Sequence, residues 1–228
     1  MAQYFSPKTV TSGLVLYVDA GNLKSYRGSG TSFSDMSGAA NNGTLTNGPT
    51  FSSTSGGAIV FDGVDDYVDL GTGSGTLDQL SNVITIQAMI NTAYPTNRMT
   101  IYSTGYTGQG IMFGTSANTP GGLEVYYPSW YVAYTAGSLL TANTWYHVAY
   151  TRSGTGSGTH KFYVNGVSQA LSSDTSANFS AISTTKYIGY RSGVMYNGSI
   201  ACLSVYNRPL APDEILQNFN AIRGRFNI

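Results

Sequence analysis

The sequence has few charged residues, a single cysteine and no long apolar run. Charged residues make up 10% of the 228, and eleven basic side chains balance eleven acidic ones. A nucleic-acid-binding surface needs an excess of basic residues, so nucleic acid is not an expected partner. The lone Cys202 excludes an internal disulfide bond and a multi-cysteine metal site. No stretch approaches the ~18 apolar residues of a membrane-spanning helix, so no membrane partner is expected.

The N-terminal region also lacks the pattern of a secretory signal peptide. The apolar run at residues 14–18 is short, lies inside the chain and has no basic flank. We therefore expect that the protein does not reach the outside of the cell by ordinary secretion. In place of charge the chain has 28 glycines and 18 tyrosines, a composition that favours strands and tight turns over helices.

Alternating apolar and polar side chains predict many short strands. The clearest signal is Asn165-Gly166 between alternating apolar residues, the preferred two-residue hairpin turn. Residues 21–55, rich in glycine, serine, asparagine and threonine, are predicted to be a long loop. The predicted strands cover residues 14–18, 58–62, 67–70, 84–90, 100–104, 110–114, 123–127, 130–135, 145–152, 161–169, 186–190 and 199–206.

One short helix is predicted near the C-terminus. Pro212 suits the first helical position, Asp213 and Glu214 fall in the first turn, and Gly224 ends the helix. Many strands without regular helix alternation predict an all-β sandwich. We see no linker or change of composition, so the sequence predicts one domain.

A series of motifs resembles those of laminin-G-like (LamG) domains in sequence and order. They include Phe61-Asp-Gly-Val-Asp-Asp-Tyr-Val-Asp-Leu-Gly71 and lie at residues 13–22, 41–45, 61–71, 143–149, 162–166, 187–189 and 206–210. The resemblance covers residues 13–222 and implies a concanavalin-A-like, two-sheet antiparallel jelly-roll sandwich with the short C-terminal helix. Residues 1–12 would form an N-terminal arm and residues 223–228 a C-terminal tail. This fold supports glycan binding, protein adhesion and hydrolysis alike, so it leaves the function open.

Residues 13–22 and 220–226 also resemble LamG domains of bacteriophage virion proteins, particularly those of cyanophages. This resemblance implies a non-catalytic protein on the virion surface, in a head decoration, fibre or tail-associated part that is assembled in the host cytoplasm without a signal peptide. Its partners would be other virion proteins and host or environmental glycans, and it could form a homo-oligomer. Two alternatives stay open: a purely structural decoration protein that binds only virion subunits, and a cellular lectin or adhesin.

The terminal segments are candidates for contact with neighbouring virion subunits. The arm carries Tyr4, Phe5 and Pro7, whereas the tail carries Arg223, Arg225 and Phe226. The alternative for the arm is an extra strand or a partly ordered tail.

Catalysis is not expected, because the sequence lacks an evident carboxylate pair. A glycosidase needs two carboxyl groups across the sugar, and glycosidases of this fold are expected to carry Glu-x-Asp-x-x-Glu on one strand. Neither Glu124 nor Glu214 belongs to such a motif. A pair formed by aspartates that are distant in the sequence is the alternative. His147 is predicted to be a packed strand residue and His160 to be solvated beside a loop.

Acidic residues crowd the turn that follows residue 61. Asp62, Asp65 and Asp66 are the candidates for a Ca²⁺ site, because calcium prefers oxygen ligands. Calcium-binding LamG domains also recruit a carboxylate from a late strand, where this sequence has Ala201 and Cys202. We therefore favour carboxylates that cap their own turn, and expect no cofactor.

An aromatic cluster around Pro128 supplies the candidate carbohydrate site. Sugars bind through aromatic rings with polar groups at the rim, and the low charge of the chain suits neutral sugars. Core packing and a protein interface are the alternatives for the same side chains. The candidates are Tyr126, Tyr127, Trp130, Tyr131 and Tyr134, with Tyr102, Tyr106, Asn118 and Arg98 completing the surface.

Overall fold

The chain folds into two stacked antiparallel β-sheets, with a short helix on the outer face of one of them. A computed structural model describes residues 8–72, 75–105, 110–127, 130–179 and 183–228, without the side chains of Trp130 and Tyr131. The helix is α1 (Pro212–Ile222), followed by a 3-10 turn at Arg223–Arg225. The strands within these ranges are β1 (Leu14–Asp19), β2 (Ser32–Phe33), β3 (Gly43–Thr46), β4 (Thr50–Ser52), β5 (Ala58–Asp62), β6 (Tyr67–Asp69), β7 (Val83–Thr92), β8 (Met99–Ser103), β9 (Met112–Thr115), β10 (Leu123–Tyr127), β11 (Trp130–Thr135), β12 (Trp145–Ser153), β13 (His160–Val164), β14 (Val167–Gln169), β15 (Leu171–Asp174), β16 (Tyr187–Ile188), β17 (Tyr190–Arg191), β18 (Val194–Met195) and β19 (Asn197–Tyr206).

The strand order is that of a jelly-roll sandwich, which confirms the predicted fold class. Sheet 1 runs β14-β13-β12-β7-β19-β5-β4, with β1 also paired to β19. Sheet 2 runs β15-β11-β10-β9-β8-β16-β6-β3-β2, and the β17–β18 hairpin contacts β8. Among the described residues, no helix combines the length and the apolar character needed to cross a bilayer.

The core lies between the two sheets and is built from the inward residues of each strand. Ile86 and Ile90 of β7 face Ile101 of β8 and Val125 of β10 in one continuous apolar cluster. The ring of Phe113 bridges the sheets, since its centroid lies 6.0 Å from that of Tyr150. Burying each large apolar side chain contributes about 1.5–3 kcal/mol.

The prediction of a long loop at residues 21–55 is wrong, because this segment contains three short strands. Strands β2 and β3 pair with each other and β3 pairs with β6, whereas β4 pairs with β5. These strands have two to four residues and are largely polar. They form because they pair with other strands of the sheets. Local alternation in the sequence does not reveal such pairing.

Helix α1 closes the outer face of sheet 1. The ring of Phe219 lies 5.7 Å from His147, and Phe226 beyond the helix lies 4.7 Å from Trp145, centroid to centroid. The Asn218 side chain accepts a hydrogen bond from Val10 N at 2.7 Å, which holds the N-terminal segment under the helix. The domain boundaries at residues 12 and 223 stay a prediction, and the arm residues Tyr4, Phe5 and Pro7 lie outside the described residues.

Both histidines are buried, so the prediction of a solvated His160 is wrong. His160 Nδ1 lies 2.8 Å from the Tyr150 hydroxyl, and His147 Nε2 lies 3.1 Å from Gln87 Oε1. Burial lowers the pKa of each imidazole to about 4, and the Arg152 charge adds to the effect at His160. Both side chains are therefore neutral in the folded protein at neutral pH.

We expect the free energy of unfolding to decrease as the pH falls from about 6.5 to 4. In this range the unfolded histidines bind protons, since their pKa is about 6.5, whereas the folded ones stay neutral. Each buried histidine would cost roughly 3 kcal/mol at pH 4. Urea unfolding at pH 7, 6 and 5 measures the slope, which H147Q should reduce relative to wild type. Identical slopes in the two proteins would contradict the assignment to His147.

Candidate functional site

The outer face of sheet 2, opposite the helix, carries half-buried aromatic side chains. Val68 of β6 and Ile188 of β16 point into the core. Because side chains alternate along a strand, their neighbours Tyr67 and Tyr187 point outward. The β17–β18 hairpin then adds Tyr190 to the same surface.

Three tyrosines contact one another there and form what we call the tyrosine cluster. The ring centroids of Tyr187 and Tyr190 lie 4.9 Å apart at an interplanar angle of 79°. Tyr67 lies 5.5 Å from Tyr187 and 5.2 Å from Tyr190. Mutual contact fixes the ring orientations, since edge-to-face pairs at such distances are favourable.

A groove of about 240 Å³ lies against this cluster. This open groove has a size suited to about one sugar ring. Hydrogen bonds fix its walls: Ser103 Oγ donates to Tyr190 O at 2.7 Å, and Thr184 Oγ1 donates to Thr104 O at 3.1 Å. Its described lining residues are Ser103, Gly105, Thr184, Thr185, Tyr187, Tyr190, Arg191 and Ser192.

Beside the groove, Tyr126 of β10 lies among charged side chains. The guanidinium carbon of Arg98 is 4.6 Å from the Tyr126 ring centroid, and that of Arg191 is 5.2 Å from it. Arg98 also forms an ion pair with Glu124, whose side chain is fully buried. Glu124 Oε2 additionally accepts hydrogen bonds from Ser116 at 2.9 Å and Asn118 at 3.1 Å. Arg191 thus links the groove to Tyr126.

The predicted carbohydrate-binding aromatics do not all lie in the same environment. Tyr126 and Tyr134 are half-buried, but Tyr127 is 6% exposed. The Tyr127 ring packs 4.7 Å from Phe179, and its hydroxyl donates to Asn178 O at 2.8 Å. Since its ring lies in the core, Tyr127 is not available for stacking on a sugar.

The remaining predicted side chains fall into three groups. Trp130 and Tyr131 pair through their backbones with Tyr127 and Tyr126, and their side chains lie outside the described residues. Tyr102 is buried in the core, which corrects its assignment to a surface. Tyr106 lies outside the described residues.

The acidic turn brings three carboxylates together. One carboxylate oxygen from each of Asp62, Asp65 and Asp66 lies within 4.8 Å of the others. Asp62 Oδ1 accepts from Val64 N at 2.7 Å, so this side chain caps its own turn as predicted. Asp66 Oδ2 accepts from Asp62 N at 3.0 Å, and burial raises the pKa of the Asp66 carboxyl. Three carboxylates supply part of the six to eight oxygens that calcium takes.

The family of the chain follows from a sequence comparison. Residues 62–216 match the laminin G family model described as the concanavalin A-like lectin/glucanases superfamily. The chain belongs to this superfamily. The matched segment contains β6, β16 and all described lining residues of the groove. No curated protein sequence matches this chain significantly.

Solved structures with the superfamily fold resemble the chain at low sequence identity. Domain 4 of AbnA, an extracellular arabinanase of Geobacillus stearothermophilus in complex with arabinotriose, has a TM-score of 0.61 at 17% identity, covering 91% of this chain and 98% of that one. A Trypanosoma rangeli sialidase mutant displaying trans-sialidase activity has a TM-score of 0.67 at 18% identity, covering 96% and 34%. The same sialidase in complex with sialic acid has a TM-score of 0.63 at 15% identity, covering 93% and 33%. The chain thus spans about a third of the sialidase length, and the likeness concerns the fold.

Proposed function

We propose that the protein is a non-catalytic carbohydrate-binding domain whose binding surface is the groove and the adjoining tyrosine cluster. The observation that carries the proposal is the arrangement of Tyr187 and Tyr190 along a groove otherwise lined mainly by hydroxyl side chains. Aromatic faces contact the C–H groups of a sugar, and hydroxyl groups at the rim orient it. Such a site binds through many weak contacts, so several copies together would bind far more tightly than one.

The comparisons support a glycan as the ligand. The superfamily is named for lectins and glucanases. The AbnA domain was solved with arabinotriose and the sialidase with sialic acid. These ligands belong to those proteins, and they motivate glycans as the first class to test here.

The state of the two glutamates supports binding without hydrolysis. Glu124 is surrounded by Arg98, Ser116 and Asn118. Glu214 pairs with Arg208 at 2.6 Å, and these hydrogen bonds lower the pKa of the Glu214 carboxyl. A glycosidase acid needs a raised pKa, so Glu214 is not suited to that role. The Glu124 side chain has no exposed surface with which to contact a sugar. Release of reducing ends from any polysaccharide that the protein binds would contradict this part of the proposal.

We expect Y187A to reduce glycan binding by at least about tenfold, because it removes one aromatic wall of the groove. A glycan array probed with the protein on multivalent beads measures the signal, with and without a calcium chelator. The control is Y94A. Tyr94 is 56% exposed and precedes the start of β8, whereas the groove lies at the end of β8. Wild-type signal at background, or equal loss in both variants, would refute the proposed site. We expect the chelator to have no effect.

For the biological setting we propose the surface of a phage particle. The support is the resemblance of residues 13–22 and 220–226 to virion LamG domains. Repeated copies on one particle would supply the multivalency that a weak site needs. Immunogold labelling of purified particles tests this setting. Deletion that lowers particle stability but leaves adsorption to host cells unchanged would favour the purely structural alternative.

A further inference from the structure

The loop that joins β1 to β2 encloses a hollow of about 630 Å³. Its described lining residues lie between Leu23 and Ser34, and we call it the basic hollow. It shares none of these residues with the tyrosine-lined groove, and β6 and β3 lie between β16 and β2 in sheet 2. The hollow is therefore a separate part of the surface.

Hydrogen bonds and packing within the loop give the basic hollow its shape. Ser25 Oγ donates to Ser34 O at 2.6 Å, which ties the start of the loop to the end of β2. The Tyr26 hydroxyl donates to Gly30 O at 2.9 Å. The Tyr26 ring is buried, with its centroid 5.9 Å from that of Phe33. The walls of the hollow thus form as part of folding, before any ligand binds.

Two exposed cations, Lys24 and Arg27, line this hollow, and its described lining includes no acidic residue. Within the described part of the chain, neither charged group has a hydrogen bond, an ion pair or a ring contact. The nearest acidic residues along the chain are engaged elsewhere. Asp19 pairs with Arg225, and Asp35 accepts hydrogen bonds from backbone N–H groups. The positive charge of the hollow is therefore available to a ligand.

The same loop also offers free backbone donors. Gly28 and Gly30 have φ values of 84° and 81°, in the left-handed region that glycine tolerates. The backbone N–H groups of residues 28, 29 and 30 form no hydrogen bond with any described residue. Successive backbone N–H groups in loops can hold anions. The loop thus combines two accessible cations with unpaired N–H donors.

We infer that the basic hollow binds a sulfate or phosphate ester group of a polysaccharide, held by Lys24 and Arg27. This site lies outside the groove of the proposed function and is additional to it. A guanidinium group binds such an oxyanion through parallel, charge-assisted hydrogen bonds, and the lysine adds a point charge. A tetrahedral ester presents three terminal oxygens, which suit donors on several sides better than the two oxygens of a planar carboxylate.

The surroundings of the two cations favour a saccharide as the carrier of the ester. Leu23 is 78% exposed beside Lys24 and offers an apolar contact to the C–H groups of a sugar. Serine and threonine side chains that line the same hollow supply hydroxyl partners. Two cations suffice for one ester group, whereas a nucleic-acid surface contacts many phosphates in succession.

Four forms of one polymer test the inference with the unaltered protein. Dextran, carboxymethyl dextran, dextran sulfate and dextran phosphate, of matched length and degree of substitution, are immobilised in parallel. We expect at least one ester form to bind roughly tenfold or more tightly than plain dextran. We also expect it to bind roughly threefold or more tightly than carboxymethyl dextran. Binding to the ester should weaken as salt rises from about 0.05 to 0.5 M.

A pair of charge-matched variants then locates the site. K24Q/R27Q should bind the ester at least roughly tenfold more weakly than wild type. The control K161Q/R223Q also removes one exposed lysine and one exposed arginine, in β13 and after α1. We expect it to change ester binding by less than about twofold, because distant charges are screened by salt. All four side chains are exposed, and thermal unfolding confirms that both variants are folded.

Several results would overturn the inference. Ester and plain dextran binding equally, or equal losses in the two double variants, would show that the hollow holds no ester group. Carboxymethyl dextran binding as tightly as the esters would refute the preference for a tetrahedral group. Binding to vesicles of anionic lipid without binding to either ester would assign the hollow to a lipid headgroup instead.

The outcome is distinguishable from that of the proposed function. A glycan array that shows binding sensitive to Y187A, together with no binding to the dextran esters, refutes this inference alone. Ester binding that depends on Lys24 and Arg27, together with no groove-dependent signal on the array, refutes the proposed function alone.

Discussion

Replacing Arg225 with alanine is expected to lower the free energy of unfolding by roughly 3 kcal/mol. Arg225 Nη1 donates to the two carboxylate oxygens of Asp19 at 2.9 and 2.7 Å. Its Nη2 donates to the carbonyls of Gly56 and Gly57 at 3.3 Å each. Asp19 is 5% exposed, so the substitution leaves a buried carboxylate without its cation. That penalty exceeds the modest value of an exposed ion pair.

Thermal and urea unfolding measure the effect, which corresponds to a decrease in Tm of about 6–12 °C for a chain of this size. The matched control is R223A. Arg223 is exposed, and its guanidinium lies 5.6 Å from the Phe219 ring centroid. We expect this control to change stability by less than about 1 kcal/mol. D19N in the R225A background should restore part of the loss, and failure to do so would argue against an uncompensated charge as its cause.

Replacing Gly114 with alanine should be equally severe for a steric reason. A Cβ atom at this position in β9 would lie 1.9 Å from the backbone carbonyl oxygen of Met99 in β8. The obstacle is backbone, so relief requires the two paired strands to move apart. We expect a loss of about 3 kcal/mol or more in the free energy of unfolding. Because β8 ends at Ser103 in the groove wall, the groove should be distorted as well.

The control for this prediction is G156A. A Cβ atom at Gly156 would have no heavy atom within 4 Å. Urea unfolding of both variants should show a large loss for G114A and almost none for G156A. Similar stability of the two proteins would mean that β8 and β9 accommodate the methyl group.

Alternation predicted the strands that carry the core but not the direction of every side chain. Strands β10 and β11 have the bounds that the sequence predicts, at residues 123–127 and 130–135. Their pairing shifts register between Val125 and Tyr126, a local irregularity that a sequence pattern does not report. The extra residue, Val132, belongs to β11. Alternation in β10 is unbroken, with Leu123, Val125 and Tyr127 in the core and Tyr126 outward, so the pattern there could have distinguished Tyr126 from Tyr127.

The groove was missed because its parts are distant in the chain. Tyr67 comes from β6, whereas Tyr187 and Tyr190 come from β16 and β17. The pairing of β16 with both β6 and β8 brings them together. The available signal was the closeness of Tyr187 and Tyr190 in sequence, within a predicted strand and beside a family motif. His160 was misjudged for a related reason, since its neighbouring loop is polar while its own strand enters the core.

The outer face of sheet 1, which α1 covers, also determines how the protein can be coupled to a solid support or a label. Gln217 of α1 donates to the carbonyl of Lys8 at 2.6 Å, and Phe226 packs on Trp145 of the same sheet. Both ends of the described chain therefore emerge on the side away from the groove. A biotin tag, a fluorescent fusion or a bead coupled after Ile228 would project backward and leave the tyrosine-lined side unobstructed. Sensor surfaces prepared in this way would present every molecule in one productive orientation.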